Sequence, residues 1–300
     1  RNSPGYLFKG FLSTNGVDRS LNKAPITNYG NYQNLKNTIS QQEIEEVIIA
    51  VEASEHESIN KIINDLSDLN VRIKVIPDMY NILTGSVKMT AIFGAPLIEV
   101  NPEIMPAWQK SIKRLMDIVI SILALIVLFP VCIILALTVW YSSKGPILYK
   151  QERVGRLRKR FNIYKFRSMV QNAEKDGPQL SSSTDLRITK VGKIMRKTRL
   201  DEIPQFINVL KGEMSIVGPR PERQFYIDKI KERAPHYKHL EKVRPGITSW
   251  GQVKYGYAEN VDQMIDRLKY DVLYVENMSI SLDIKIMFYT LIIICKGSGK

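Results

Sequence analysis

The sequence predicts a chain of two unlike parts. The first is an α/β, Rossmann-like N-terminal domain over residues 1–100. The second, over residues 113–300, is a mainly helical α+β, membrane-associated domain carrying a re-entrant membrane helix broken at a proline. Three observations predict this. Short strand-like and helix-like runs alternate through the first hundred residues. An apolar run of 26 residues follows at 115–140, with Pro130 near its middle. Basic residues flank that run on both sides.

In the first part, residues 6–12 and 47–51 are apolar runs with β-branched or aromatic content. Residues 59–69 have helical spacing, and 71–76 return to strand. No Gly-x-Gly-x-x-Gly follows a strand here, so dinucleotide binding has no direct support. Gly5 to Gly10 read as the remnant of a larger Rossmann-like unit whose first βαβ is expected upstream, since a chain that opens on Arg1 reads as one truncated at its start. A structural or dimerising α/β module is the other reading, and the role of this part stays open.

Residues 101–112 read as a linker, with Pro102, Pro106 and Trp108 leading to Lys110. The run at 115–140 then carries one charge, Asp117, and exceeds the roughly 20 apolar residues that cross a bilayer. Pro130 argues against a simple span, because a proline inside a helix removes a hydrogen bond and kinks it. Lys110, Lys113 and Arg114 precede the run, while Lys144, Lys150 and the cluster at 153–160 follow it. Basic flanks belong on the cytoplasmic side. Two of them favour a helix-break-helix hairpin that enters one leaflet and returns, ahead of a full span or a buried core helix.

The formal net charge of +13 is unevenly placed. Residues 1–100 hold 9 Lys and Arg against 11 Asp and Glu, a net of −2; residues 144–199 hold 16 against 4, a net of +12. The basic stretch would face anionic lipid, a phosphorylated substrate or nucleic acid. Few aromatic residues interleave with it in an RNA-binding pattern, which disfavours nucleic acid. Cys132 and Cys295 both lie in apolar runs, which fits a reducing, cytoplasmic setting without a disulfide framework.

Residues 145–170 read as a hairpin whose second strand puts Lys165 and Arg167 on one face; an edge strand made soluble by charge is the plainer reading. Further on, 243–253 is turn-rich and 261–274 has helical spacing. The run at 280–295, interrupted by Asp283 and Lys285, reads as an interfacial or core helix. His236 and His239 stand at i, i+3 with no third ligand at zinc spacing, which is poor evidence for a metal.

The densest chemistry lies at 196–222. Asp201 and Glu202 sit between Arg196 and Arg199 upstream and Arg220 downstream, the last held between Pro219 and Pro221. Carboxylates serve as nucleophile, base or Mg²⁺ ligand, and Arg grips phosphate bidentately. The same residues also describe a plain helix start, with acid in the first turn, Pro204 close behind and Gly212 as the stop. That leaves Gly218-Pro219-Arg220-Pro221 unexplained, where two fixed φ angles give one Arg side chain a defined direction. On these residues alone both readings stand.

Six motifs occur together and in order: Lys113-Arg114 before the broken helix, Gln151-Glu152-Arg153-Val154-Gly155, Lys165-Phe166-Arg167-Ser168-Met169, Leu200-Asp201-Glu202-Ile203-Pro204-Gln205, Gly218-Pro219-Arg220-Pro221-Glu222 and Arg244-Pro245-Gly246-Ile247-Thr248. Over residues 108–300 the chain resembles the bacterial sugar transferases, the monotopic polyprenyl-phosphate phosphoglycosyl transferases. Its N-terminal part resembles the accessory domain of their long members, which usually follows a transmembrane bundle. Two positions depart from the family. Phe129 precedes Pro130 where a Ser is common, and Arg156-Leu157-Arg158-Lys159 lacks the usual turn Gly.

The resemblance implies an enzyme of the bacterial inner membrane with its catalytic domain facing the cytoplasm. A sugar-1-phosphate moves from a UDP-sugar to undecaprenyl phosphate, releasing UMP and initiating exopolysaccharide, capsule or O-antigen synthesis. It implies Asp201 as the nucleophile that carries a phosphosugar ester. Mg²⁺ is held near Asp201, and Glu202 supports the metal or deprotonates the acceptor. Arg196 and Arg220 contact the diphosphate or lipid phosphate, with Lys165, Arg167 and Arg244 in support. The remaining basic residues of 153–160 are placed against anionic headgroups. UDP-sugar, undecaprenyl phosphate and inner-membrane lipid are the partners; nucleic acid is not, and a homodimer is allowed. A non-catalytic basic membrane-bound or nucleic-acid-binding module is the alternative. The sugar is not identified, although Trp250 and the loop at 254–259 are placed to contact one.

Overall fold

The computed structural model describes residues 7–14, 27–51, 56–66, 69, 71–76, 89–92, 95–100, 105–171, 173, 177 and 185–296. Gly5, the first residue of the strand expected at 6–12, residues 67 and 68 of the expected helix and residues 101–104 of the linker lie outside these. The chain divides into two compact units, Arg1–Glu103 and Ile104–Lys300.

In the first unit β1 (Phe11–Ser13) pairs in parallel with β2 (Asn28–Asn31). After α1 (Leu35–Gln42), the elements β3 (Glu46–Ile49), α2 (His56–Leu66) and β4 (Arg72–Val75) make a β-α-β step with β3 and β4 parallel. An antiparallel hairpin of β5 (Met89–Ile92) and β6 (Ala95–Val100) completes a sheet ordered β3-β4-β6-β5. The sheet is therefore mixed. Leu35, Ile39, Ile49, Ile62, Leu66 and Ile73 form its core. The strand expected at 6–12 is confined to its C-terminal end. The sequence does not announce α1 or β2: α1 buries only Leu35 and Ile39, and Asn-Tyr-Gly-Asn reads as a turn.

The second unit opens with α3 (Ala107–Val127) and α4 (Phe129–Ser142), which bend by 62° at Leu128. Pro106 stands at the N-cap of α3, so the helix takes in six residues that the sequence assigns to the linker. Pro130 falls in the first turn of α4, where its missing N–H costs no bond. Leu128 N–H donates to Ala124 O and Cys132 N–H to Leu128 O, so the break needs no hydroxyl at position 129. Among the described residues no single helix is long and apolar enough to cross a membrane; the bent pair passes that test together. Leu115, Leu123, Ile126, Phe129, Ile134 and Leu137 are exposed on it.

The inner face of α3 is tied down by buried polar groups. Lys113 Nζ donates to Asp283 Oδ2 at 2.6 Å and to Val217 O at 2.9 Å. Arg114 donates to Val209 O and Leu210 O, carbonyls of the last turn of α6 (Gln205–Lys211). Asp117 Oδ1 accepts the Ile216 N–H at 3.0 Å. The lone acid of the apolar run is thus a structural acceptor.

β7 (Leu148–Val154) and β8 (Arg160–Phe166) pair from Leu148↔Phe166 to Val154↔Arg160. Their turn puts Leu157 at φ 54° and Arg158 at φ 61°, which is the primed hairpin turn without the residues that favour it. Beyond lie α5 (Lys190–Lys197), capped by Thr189, then α6, and β9 (Ser215–Val217) parallel to β10 (Gly246–Thr248). Gly218 and Gly246 pass so close that a Cβ on either would strike the other's backbone. α7 (Gln224–Arg233), α8 (Trp250–Lys254), α9 (Val261–Glu276) and α10 (Ile280–Cys295) pack around this pair. A smaller core joins Leu135 and Val139 of α4 to Phe166, Met195 and Ile203.

Candidate active site

Asp201 and Glu202 lie on a single 3-10 turn, Leu200–Glu202, between α5 and α6. Arg199 precedes it at φ 58°, a left-handed conformation that few non-glycine residues adopt. This reversal brings both carboxylates inward, and both are buried. Of the two, Glu202 is the one partnered by ion pairs. Its Oε1 lies 2.7 Å from Lys165 Nζ and 4.0 Å from Arg220 Nη1, and its Oε2 lies 3.5 Å from Arg199 Nη1. Among the described residues the Asp201 carboxylate accepts no hydrogen bond.

The charges follow this division. Burial, together with the neighbouring Glu202 charge, raises the Asp201 pKa to about 6, against the opposing pull of Lys165, Arg196 and Arg199. Glu202 is just as buried, which by itself would raise its pKa. Lys165, Arg199 and Arg220 override burial and hold it well below the carboxylate range. One acid is a fixed anion; the other stays basic and uncovered.

Arg220, between Pro219 and Pro221, stands among Glu202, Glu222 and Tyr257. Its Nε stands 4.0 Å from Glu222 Oε1, and its guanidinium carbon lies 5.9 Å from the Tyr257 ring centroid. Among the described residues it donates no hydrogen bond. Burial would lower its pKa, but the charges of Glu202 and Glu222 outweigh that and raise it.

The structure gathers Lys165, Arg196, Arg199 and Arg220 around the carboxylates and leaves Arg167 and Arg244 elsewhere. β8 ends at Phe166, so Arg167 does not share a face with Lys165 as strand periodicity suggests. It turns to Pro146 O, Ser143 O and Val139 O, closing the end of α4. Arg244 Nε donates to Gly212 O beyond α6. The basic run at 153–160 is also revised. Arg153 is internal, bound to Pro221 O, Gln151 Oε1 and Glu222, while Arg156 donates to Lys242 O.

Glu222, Arg267 and Asp271 were not marked as site residues by the sequence. Arg267 Nη2 donates to Glu222 Oε1 at 2.6 Å, and Asp271 accepts the Gly251 N–H at 2.9 Å. Glu222 could have been found as the residue closing the Pro-Arg-Pro-Glu motif. Arg267 and Asp271 lie in an ordinary amphipathic helix and give no signal. Trp250 packs against Tyr289 and Lys254, and the following loop brings Tyr257 to Arg220.

For a divalent cation the donor set is small. Glu202 is taken by three cations, so Asp201 is the carboxylate of the pair fit to ligate Mg²⁺ beside oxygens of a bound phosphate, the usual mode for that ion. Among the described residues no group of three or more His, Cys, Asp or Glu converges. His239 pairs with Glu276 at 3.2 Å.

Residues 108–297 match the family described as bacterial sugar transferase, and residues 1–77 match a CoA-binding domain. The chain is 42% identical, over 72% of its length and 51% of the relative's, to UDP-N-acetylgalactosamine-undecaprenyl-phosphate N-acetylgalactosaminephosphotransferase of Aeromonas hydrophila. It is 34% identical, over 87% of its length and 57% of the relative's, to UDP-glucose:undecaprenyl-phosphate glucose-1-phosphate transferase of Klebsiella pneumoniae. It is 30% identical, over 98% of its length and 64% of the relative's, to undecaprenyl-phosphate galactose phosphotransferase of Salmonella typhimurium. The chain thus spans roughly half to two thirds of the length of these relatives.

Proposed function

The chain belongs to the bacterial sugar transferase family, and on that premise we propose that it moves a sugar-1-phosphate from a UDP-sugar to undecaprenyl phosphate, the first step of a surface polysaccharide. The observation that carries this is the contrast inside the site. Asp201 is buried, basic and, among the described residues, without a hydrogen bond, while every oxygen of its neighbour Glu202 is engaged by a cation. A carboxylate with a pKa of about 6 is ionised near neutral pH and retains more nucleophilic character than an ordinary one.

In the first step an Asp201 oxygen attacks the β-phosphorus of the UDP-sugar. The bond from that phosphorus to the bridging oxygen breaks, UMP leaves with the electron pair, and an aspartyl phosphosugar ester remains. In the second step an oxygen of the lipid phosphate attacks the same phosphorus and expels the Asp201 carboxylate. Arg220 and Arg196 grip the diphosphate, and Glu202 holds Lys165 and Arg199 beside it. Asp201 is the residue that would hold Mg²⁺, and that ion would supply charge neutralisation for the displacement.

The bent helix pair suits a lipid acceptor. The thirteen residues of α3 from 115 to 127, all apolar but Asp117 and Ser121, run about 20 Å, and a 62° bend shared equally tilts each arm about 31° from the membrane plane. The bend then lies about 10 Å deep, inside one leaflet of a hydrocarbon core about 30 Å thick. Both ends emerge on one side, where a soluble nucleotide sugar meets the lipid phosphate. The relatives named above differ in sugar, so this reading leaves the sugar unspecified.

UMP release from a panel of UDP-sugars, with undecaprenyl phosphate in detergent, tests the proposal. Without lipid acceptor, a radiolabelled sugar phosphate should become attached to the protein. Asp201→Asn should lose both signals. Full activity in that variant overturns the nucleophile assignment.

A further inference from the structure

Arg220 stands between two buried carboxylates and closes on neither. It is 4.0 Å from Glu202 Oε1 through Nη1 and 4.0 Å from Glu222 Oε1 through Nε. A guanidinium beside a carboxylate ordinarily collapses into a fork of two short, charge-assisted hydrogen bonds. Prior occupation prevents this here. Arg267 Nη2 holds Glu222 Oε1 at 2.6 Å, Arg153 Nη1 reaches Glu222 Oε2 at 3.4 Å, and Lys165 Nζ holds Glu202 Oε1 at 2.7 Å. Arg267 is itself buried and fixed from behind, where Gly251 leaves no room for a side chain between Arg267 and Asp271.

We propose that Glu222 and Arg267 are positioning residues for Arg220: Glu222 sets where the guanidinium stands, and Arg267, by saturating Glu222, keeps its donors unspent for an incoming diphosphate anion. The diphosphate rests on the reaction proposed above; the position of Arg220 does not. Without Arg267, Glu222 regains an acceptor and takes Arg220 into a direct pair. Without the Glu222 charge, Arg220 loses one of the two carboxylates that set its position, while Glu202 stays held by Lys165. In the first case donors meant for the substrate are spent on the protein; in the second they are displaced from where the substrate needs them.

This has a sign that general loosening does not share. In the full chain labelled with ¹⁵N-arginine, the Arg220 Nε–H signal, assigned by its loss in Arg220→Lys, should exchange rapidly with solvent. In Arg267→Leu its exchange should slow, since Nε faces Glu222 and becomes bonded to it, whereas in Glu222→Gln it should stay fast; Arg267→Lys should restore fast exchange. The KM for the UDP-sugar should rise about ten- to a hundred-fold in both variants, the span of one charge-assisted bond, with a smaller change in kcat. The KM of Glu222→Gln is the arm to read if Arg267→Leu fails to fold. Unchanged or faster exchange in folded Arg267→Leu overturns the proposal, as does a loss of activity with KM unmoved in either variant. If the unsubstituted chain releases no UMP from any UDP-sugar, the proposed reaction fails, and the exchange measurement still decides the positioning.

Discussion

Lys165 Nζ lies 2.7 Å from Glu202 Oε1, and this ion pair separates the roles of two adjacent carboxylates. With Glu202 bound to Lys165 and further compensated by Arg199 and Arg220, its negative charge is fixed. That charge, added to burial, keeps Asp201 basic. A pair that looks symmetrical in sequence is thus split into a fixed anion and a carboxylate that takes up a proton near pH 6.

The acid limb of the rate profile should report this split. We expect kcat/KM to fall as pH drops through about 6, where Asp201 takes up its proton. Lys165→Met removes a cation that lowers the Asp201 pKa, so the limb should move up by about a unit. Glu202→Gln removes a neighbouring negative charge and should move it down. Limbs that stay in place in both variants would assign the ionisation to another group.

Asp271 should give a stability signature of its own. Burial, aided by the Glu222 charge, raises its pKa to about 6, against Arg267 and the bonds from Gly251 and Ser249. The folded state therefore binds a proton more tightly than the unfolded one. The associated stability is present below about pH 4 and is lost as pH rises through about 6. The difference is roughly 3 kcal/mol at neutral pH. Thermal unfolding of Asp271→Asn between pH 4 and 7 should show a flatter dependence than the parent chain.

Lys113 and Asp283 join the base of α3 to α10 through a buried pair at 2.6 Å. Lys113→Met should destabilise by about 3–5 kcal/mol, because it strands a buried carboxylate. Adding Asp283→Leu should recover part of that loss, although Tyr274 also donates to Asp283 and would lose its acceptor. Denaturant unfolding of the two single variants and the double variant measures this; fully additive losses would mean that the pair is not coupled.

The turn between β7 and β8 places Leu157 and Arg158 in the left-handed region. An Asn-Gly dipeptide suits this turn type, so Leu157→Asn combined with Arg158→Gly should stabilise by about 1 kcal/mol. The ion pair lost with Arg158 is exposed and 4.0 Å long, so it offsets little. A melting temperature that fails to rise would show that the turn conformation carries no penalty.

Single cysteines placed near Lys113 and Lys150, after replacement of Cys132 and Cys295, should react with a membrane-impermeant reagent from the same side. Labelling from opposite faces of the membrane would establish a spanning helix in place of the bent pair within one leaflet.

Much of this protein is determined locally and can be read from sequence alone. The apolar run and its break depend on hydropathy and on one proline, the β-α-β step on alternation, and the acidic pair on a motif bounded by Arg and Pro. These are properties of neighbouring residues, and period or backbone restriction expresses them directly. The tertiary structure decided where the long side chains go. Arg153, Arg167 and Arg244 look as suited to phosphate as Arg220 does, since all are guanidiniums in a basic stretch. Folding commits the first three mainly to backbone carbonyls, with Glu222 and Gln151 also on Arg153, and leaves Arg220 between carboxylates already taken. Likewise, nothing in the order Asp201-Glu202 states which acid stays basic. That depends on Lys165, which is 37 positions away in the chain and 2.7 Å away in space.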